Sequence, residues 1–259
     1  TFDCFNYVKY KYSCNFIEAL TIIDTDFNLG LTSKESGKLF TMGYMAIITN
    51  KKPVAQKLTI IKKKTRPWSE LDQLFWERYL ITKQTLLKFE VSPISHYWIN
   101  ADRFSCSNLT YAYKIGKKYK IYCPYGDRKW TSNTTNKHVQ GYKQLPETGT
   151  LIILTSSLKD AMCLYEMGIP SIALQSEMIM PDEKLIADLK TRFKKIAVFY
   201  DNDFTNPNNP GQTMAIKISQ KYHLANIAIP DLYHCKDLSD YIAEFHAFGG
   251  IKALIDIQI

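Results

Sequence analysis

No stretch of this 259-residue chain approaches the roughly twenty consecutive apolar residues of a membrane span, so no transmembrane helix and no membrane partner are expected. The first twelve residues carry charge and no small-residue cleavage site, which excludes a secretory signal at that position. Cysteines are present but unpatterned. Cys4, Cys14, Cys106, Cys123, Cys163 and Cys235 contain no CxxC pair, so neither a zinc ribbon nor a disulfide framework is visible, and reduced thiols in a cytoplasmic protein are expected. The histidines are equally dispersed, and His138, His223 and His234 read as surface or satisfied core positions, not as ligands. Internal repeats and low-complexity tracts are both missing, which argues against a solenoid or a long disordered tail.

Acidic residues are scarce in the first part of the chain. Residues 1–150 carry 23 Lys+Arg against 12 Asp+Glu, whereas 151–259 carry 10 against 13, so the overall +8 joins a basic half to a slightly acidic one. A polyanion-binding surface beside a cation-binding site would need that asymmetry. Within the basic half, Lys62, Lys63, Lys64, Arg66, Arg103, Lys114, Lys117, Lys118, Lys120, Arg128 and Lys129 are interleaved with Trp68, Trp76, Tyr111, Tyr113, Tyr119, Tyr122, Tyr125 and Trp130. Cations neutralise phosphates and aromatics stack on exposed bases, a combination suited to single-stranded nucleic acid. Trp76, Tyr79 and Tyr122 lie in apolar runs and are expected to pack instead.

The sharpest motif is VFYDND at 198–203, an apolar strand-like run that enters two carboxylates spaced i and i+2. On extended backbone Asp201 and Asp203 would face the same side and could share one divalent cation, although by base rate most such pairs merely cap a loop. Around the motif, 151–154 (LIIL) reads as a strand. It is followed by a helix with Leu158, Ala161, Met162 and Tyr165 on one face and Gly168 at its stop, a strand at 171–174, a helix at 181–194 and a strand at 195–200. A helix from about Gly211, a strand at 225–229 and the acidic group Asp237 and Asp240 in KDLSDYI complete the series. Such alternation implies a parallel sheet, with ligands at the carboxyl ends of its strands, where all the acidic groups fall.

On these motifs, 146–245 resembles a Toprim domain, the magnesium-binding fold of bacterial-type DNA primases, type IA and II topoisomerases and some nucleases. The resemblance implies roles for Asp160 in SLKDAM, Asp201 and Asp203 as the DxD pair, and Asp237 with Asp240 as the late acidic pair. Two departures stand out: the family's Glu-Gly after the first strand is here Ser156 and Ser157, and 205–210 (TNPNNP) is inserted before Gly211. A hydroxyl cannot replace a carboxylate as ligand or acid-base at neutral pH. Glu177, after the second strand, is the substitute carboxylate the topology offers, set against the simpler expectation that it caps the next helix or faces water. Upstream, 2–28 is similar to the tail of a primase zinc-binding domain, with F-x-EAL at 16–20, and 66–146 resembles the basic subdomain of phage-type primase cores. The chain begins at Thr1 without Met, which reads as a piece of a longer protein, with any zinc ligands expected before Thr1.

The implied fold is α/β, α+β overall: a helical appendage at 1–50, a basic α+β subdomain at 51–146 and a Toprim-like parallel sheet at 147–259. The implied activity is a phage or mobile-element DNA primase, making short primers from nucleoside triphosphates on single-stranded DNA with Mg²⁺ or Mn²⁺, in a host cytoplasm and alongside a replicative helicase. Asp201, Asp203 and Asp160 would be catalytic, Asp237, Asp240 and Glu177 further metal ligands. Arg66, Arg103, Lys118, Lys120, Arg128, Lys129 and Lys159 would hold nucleotide and template. Two alternatives use the same residues: an inactive Toprim module that binds nucleic acid or a replisome, favoured by Ser156, and a metal-dependent nuclease. A topoisomerase would need far more chain.

Overall fold

The computed structural model of the protein describes residues 4–27, 29, 59–107 and 109–259. The chain divides into two compact units, 1–58 and 59–259. In the first, helix α1 (Cys4–Tyr12) and helix α2 (Phe16–Asp26) form a hairpin in which Phe5 and Phe16 meet at 5.6 Å between ring centres. Asn15 starts α2 through a reciprocal cap. Its Oδ1 accepts from the Glu18 amide at 3.0 Å, and Glu18 accepts from the Asn15 amide at 2.7 Å. The rest of the expected appendage and the lysines at 51–57 lie outside the described residues.

In the second unit the basic segment folds as an antiparallel sheet with two helices. Strand β1 (Ile61–Thr65) precedes helices α3 (Glu70–Glu77) and α4 (Lys83–Lys88), followed by β2 (Val91–Ile99), β3 (Asp102–Ser105), β4 (Tyr111–Ile115), β5 (Lys118–Tyr122) and β6 (Trp130–Ser132). The order is β1-β2-β4-β5-β6, with β3 also paired to β2. Ser69 and Asp72 cap α3 reciprocally, and Asp72 additionally receives the Arg66 guanidinium at 2.6 and 2.8 Å and the Tyr111 hydroxyl at 2.9 Å. A carboxylate with this many donors can be buried, because each lone pair lost to water is replaced.

The remaining residues alternate strand and helix as expected: β7 (Gly149–Thr155), α5 (Leu158–Glu166), β8 (Ser171–Ala173), α6 (Glu183–Arg192), β9 (Phe193–Phe199), α7 (Pro210–Tyr222), β10 (Ala225–Ile227), α8 (Leu238–Phe245) and α9 (Gly249–Gln258). The four strands are parallel in the order β10-β9-β7-β8. Gly168 ends α5 at φ +79°, where a side chain would be strained. Strand β9 begins two residues earlier than the apolar pattern indicated, because Phe193 is extended and pairs with Gly149; a Cβ there would stand 2.8 Å from the Phe193 ring. Among the described residues no helix is long and apolar enough to cross a membrane.

One apolar cluster joins the two sheets. Phe75, Trp76, Tyr79, Tyr111, Tyr113 and Tyr122 pack in the same core as Ile153, Met162, Ala197 and Ile242. Tyr111 and Tyr113 are fully buried, as are Trp76 and nearly all of Tyr122, which removes all four from any base-stacking surface. For Tyr111 and Tyr113 this corrects the stacking expectation: alternation along β4 turns both rings onto the core face. The core predicts a joint cost for both sheets. Trp76→Ala should lower stability by about 3–5 kcal/mol in urea unfolding, with the two sheets melting in one transition; separate transitions would show that the cluster does not couple them.

Candidate active site

Three chain segments deliver carboxylates to the carboxyl edge of the parallel sheet. After β7, Ser157 caps α5 with its Oγ accepting from the Asp160 amide at 3.2 Å, and this places Asp160 in the first helical turn. After β9 comes Asp201. Beyond β10, Asp237 caps α8 by accepting from the Asp240 amide and the Ser239 hydroxyl, both at 2.7 Å. Carboxylate oxygens of Asp160, Asp201 and Asp237 lie within 4.8 Å of one another. The donors around them are specific. Ser156 Oγ lies between two carboxylates, 2.5 Å from Asp201 Oδ1 and 3.2 Å from Asp160 Oδ2. Ser157 Oγ donates to Asp160 Oδ2 at 2.6 Å, the Ser239 amide donates to its Oδ1 at 3.0 Å, and Lys236 Nζ reaches Asp201 Oδ2 at 3.2 Å.

Crowding of like charges moves the acidities. Burial first, then Asp237 and Asp201, push the Asp160 pKa up to about 7. Burial and Asp237 likewise raise Asp201 and Asp240. Glu177 is also raised, by burial and then by Asp201, and its Oε2 is buried with no hydrogen-bond partner among the described residues. Oxygen ligands at this density suit a hard divalent cation, and the Glu177 Oε2 is an unsatisfied acceptor in the same cleft. The three aspartates could therefore hold a metal ion.

The site opens into a cleft of about 620 Å³ between the two sheets. Ser156, Lys159, Glu177, Asp201, Lys236 and Asp237 line it from the parallel-sheet side, and Lys120, Lys129 and Trp130 from the antiparallel sheet and its β5–β6 loop. Lys120 Nζ is 4.6 Å from the centre of the Trp130 ring and 3.3 Å from the Gln175 carbonyl, and burial pulls its pKa down to about 8. Lys159 Nζ lies 4.2 Å from the Tyr79 ring centre. Burial works against its charge, but Asp237 prevails and holds the ammonium protonated well above the usual lysine range.

Several sequence expectations are placed elsewhere. Asp203 and Asp240 are not in the cluster that Asp160, Asp201 and Asp237 form. Residues 200–203 follow the end of β9 and are not extended strand, so the same-side argument for an i, i+2 pair does not apply; the Asp203 amide is instead tied to Asn209 Oδ1 at 3.0 Å, part of the turns made by the inserted 205–210 loop. Arg66 is engaged by Asp72. Lys118 lies on β5, Arg128 is exposed in the β5–β6 loop and Arg103 is on β3, and none of these three lines the cleft, whereas Lys129 of the same loop does. Sequence reasoning passed over Lys236, whose signal was its place beside Asp237, and the donor role of Ser156.

No protein-family model matches the chain, and no curated protein matches it. Solved structures do. The structure of the DnaG catalytic core superposes with a TM-score of 0.55 at 11% identity over 75% of this chain and 74% of that one. The DnaG primase catalytic domain bound to ssDNA gives 0.55 at 10% over 75% and 76%. The Aquifex aeolicus primase, in its zinc-binding and RNA polymerase domains, gives 0.53 at 12% over 99% and 70%. The fold is that of primase catalytic cores.

The raised Asp160 acidity has a consequence for stability. A carboxyl whose folded pKa of about 7 exceeds its ordinary value of 3.8 favours folding in its protonated form, so its contribution is full below about pH 4 and lost as pH rises through 7. In EDTA the urea midpoint should fall between pH 5 and pH 8, and Asp160→Asn should flatten that fall. An unchanged slope in the variant would place the titrating group elsewhere.

Proposed function

We propose that this chain is the catalytic core of a DNA primase, a metal-dependent nucleotidyltransferase that joins nucleoside triphosphates on a single-stranded DNA template. The observation that carries the reading is the pairing, across one cleft, of three convergent aspartates on a parallel sheet with a cationic, aromatic wall on an antiparallel sheet. The fold shared with primase cores, one of them bound to ssDNA, supports it.

In this reading Asp160, Asp201 and Asp237 would hold Mg²⁺ or Mn²⁺, and Glu177, in the same cleft, would be the candidate for a further carboxylate oxygen where Ser156 has none. A bound cation would stabilise negative charge on the transferring phosphate. Lys120 and Lys129 bind and orient the triphosphate from the antiparallel-sheet side of the cleft and Lys159 from α5, with Trp130, itself stacked on Tyr122, holding Lys120 in place. Lys236 offsets the charge of Asp201. Ser156 and Ser157 fix the carboxylate orientations by donating to them. The 3′-hydroxyl of one nucleotide attacks the α-phosphate of the next and pyrophosphate leaves. The partners are single-stranded DNA, nucleoside triphosphates and a replicative helicase, in the cytoplasm of a phage-infected or element-bearing cell.

A second reading is favoured by one observation: at 156 a serine, bonded to both Asp160 and Asp201, stands where the resembling family has its glutamate. That suits a module that retains nucleic-acid binding without synthesis. One assay separates the readings. The chain with single-stranded DNA, labelled nucleoside triphosphates and Mg²⁺ or Mn²⁺ should yield labelled oligomers, and Asp201→Asn or Asp237→Asn should reduce the yield by on the order of 100-fold. The same variants should weaken Mn²⁺ binding in calorimetry. Template bound but not copied would favour the inactive module, and degraded template a nuclease.

A further inference from the structure

Strands β1, β2 and β3 carry a surface that the acidic cleft does not use. Their register sets Lys62 opposite Trp98 and Trp98 opposite Arg103, so one row across the three strands reads cation, indole, cation. In the adjacent row Lys64 faces His96, and His96 faces Ser105. Side chains alternate across a strand, so these residues share one face while Ile61, Lys63, Tyr97 and Phe104 share the other. The second set turns inward: Ile61 and Tyr97 belong to a small core with Ile94, Ala112 and Ile121, and Tyr97 stacks on Phe104 at 5.0 Å between ring centres. The first set turns outward. Lys62, Lys64 and Arg103 are exposed, and Trp98 is half-buried yet belongs to none of the three apolar clusters.

The outward face is built to present its cations. Arg103 Nη2 lies 2.6 Å from His96 Nε2; a guanidinium only donates, so that nitrogen accepts and the imidazole steadies the arginine without adding charge. The His96 ring is 6.2 Å from Trp98. Neither Lys62 nor Lys64 forms an ion pair among the described residues. The nearest acid in sequence, Asp102, pairs with Ile99 and so falls on the other face. Directly opposed side chains stand about 4.5–5.5 Å apart and same-face rows about 6.8 Å apart, which puts a cation on each side of the indole and another one row away. None of Lys62, Lys64, His96, Trp98 and Arg103 lines the acidic cleft.

We infer that this outer face of β1–β3, centred on Trp98, binds single-stranded DNA at a station outside the catalytic cleft. The inference rests on the template reading above and locates a part of the template that reading left unplaced. A single strand is the occupant the chemistry selects. Phosphates find Lys62, Lys64 and Arg103, and an unpaired base finds the indole, whereas a duplex offers no free base face and an acidic peptide has no use for the central ring.

The test measures binding apart from synthesis. The full chain, in EDTA, is titrated against labelled oligothymidylate by fluorescence anisotropy over a range of salt. Trp98→Ala should weaken binding about tenfold, Trp98→Phe should restore most of it, and Lys62→Ala with Arg103→Ala should reduce the salt slope by about 1.4. Lys252→Ala, at an exposed lysine on α9, should bind as the parent does. Circular dichroism checks the fold, and if Trp98→Ala does not fold, the exposed Lys62 and Arg103 pair decides. Parental affinity and salt slope in the folded variants would overturn the inference, as would polyglutamate displacing the oligonucleotide equally from parent and Trp98→Ala. Failure of the primase reading looks different: no incorporation by a parent whose DNA binding still depends on Trp98 would remove that reading and leave this station standing.

Discussion

Mutual repulsion among Asp160, Asp201 and Asp237 is the constraint that organises this molecule's site. Three carboxyl groups with oxygens within 4.8 Å cannot all ionise cheaply in a buried setting, and the local structure reads as a set of answers to that problem. Three serine hydroxyls, two backbone amides and one lysine direct donors at the cluster. The most buried member, Asp160, keeps its proton up to about pH 7. Each acid also sits at or within the first turn of a helix or just past a strand end, where the backbone helps hold it. A site arranged in this way is unstable with respect to its own charge and is relieved by a cation.

The parallel sheet was legible because it is written in the most redundant code a chain has. Strand-length apolar runs alternate with helical faces, and the acids fall at the strand ends, so small errors in boundaries leave the topology intact. The pairing of acids was less legible. Spacing suggested Asp201 with Asp203, but that inference depended on extended backbone continuing past residue 199, and the chain there has already left the sheet. Asp160 and Asp237, separated from Asp201 by 41 and 36 residues in the sequence, come together only through the strand order β10-β9-β7-β8, which no local pattern encodes.

The basic half shows the opposite failure. Interleaved cations and aromatics were a sound signal for nucleic acid, yet composition does not say which face of a strand an aromatic occupies. Tyr111, Tyr113 and Tyr122 look inward and hold the two sheets together, whereas Trp98, unremarked in sequence, looks outward between two cations once the register of β1, β2 and β3 is known. A one-residue slip in that register would exchange the two faces. Which side chains this half of the molecule presents is therefore a property of strand pairing, and the small core of Ile61, Ile94, Ala112 and Ile121 with Tyr97 is what lies under the inward face of these strands.

Serine at 156 changes the charge balance of the site more than its geometry. A glutamate there would add another anion to a cluster already short of counter-charge; the hydroxyl instead gives up its hydrogen to Asp201 and leans on Asp160, lowering the electrostatic cost of the metal-free state. Glu177, which approaches from the β8 side, lines the same cleft but stands outside the cluster of three aspartates. Its position depends on Gly211, because a Cβ at that residue would press on the Asp201 carbonyl and come within 3.0 Å of Glu177 Oε2. An unpartnered buried carboxylate oxygen costs about 1–3 kcal/mol, and among the described residues this one has no hydrogen-bond partner, only the charge of Lys236 nearby. Gly211 leaves room for this oxygen beside three aspartates that repel one another, and a cation held by those aspartates would relieve both strains.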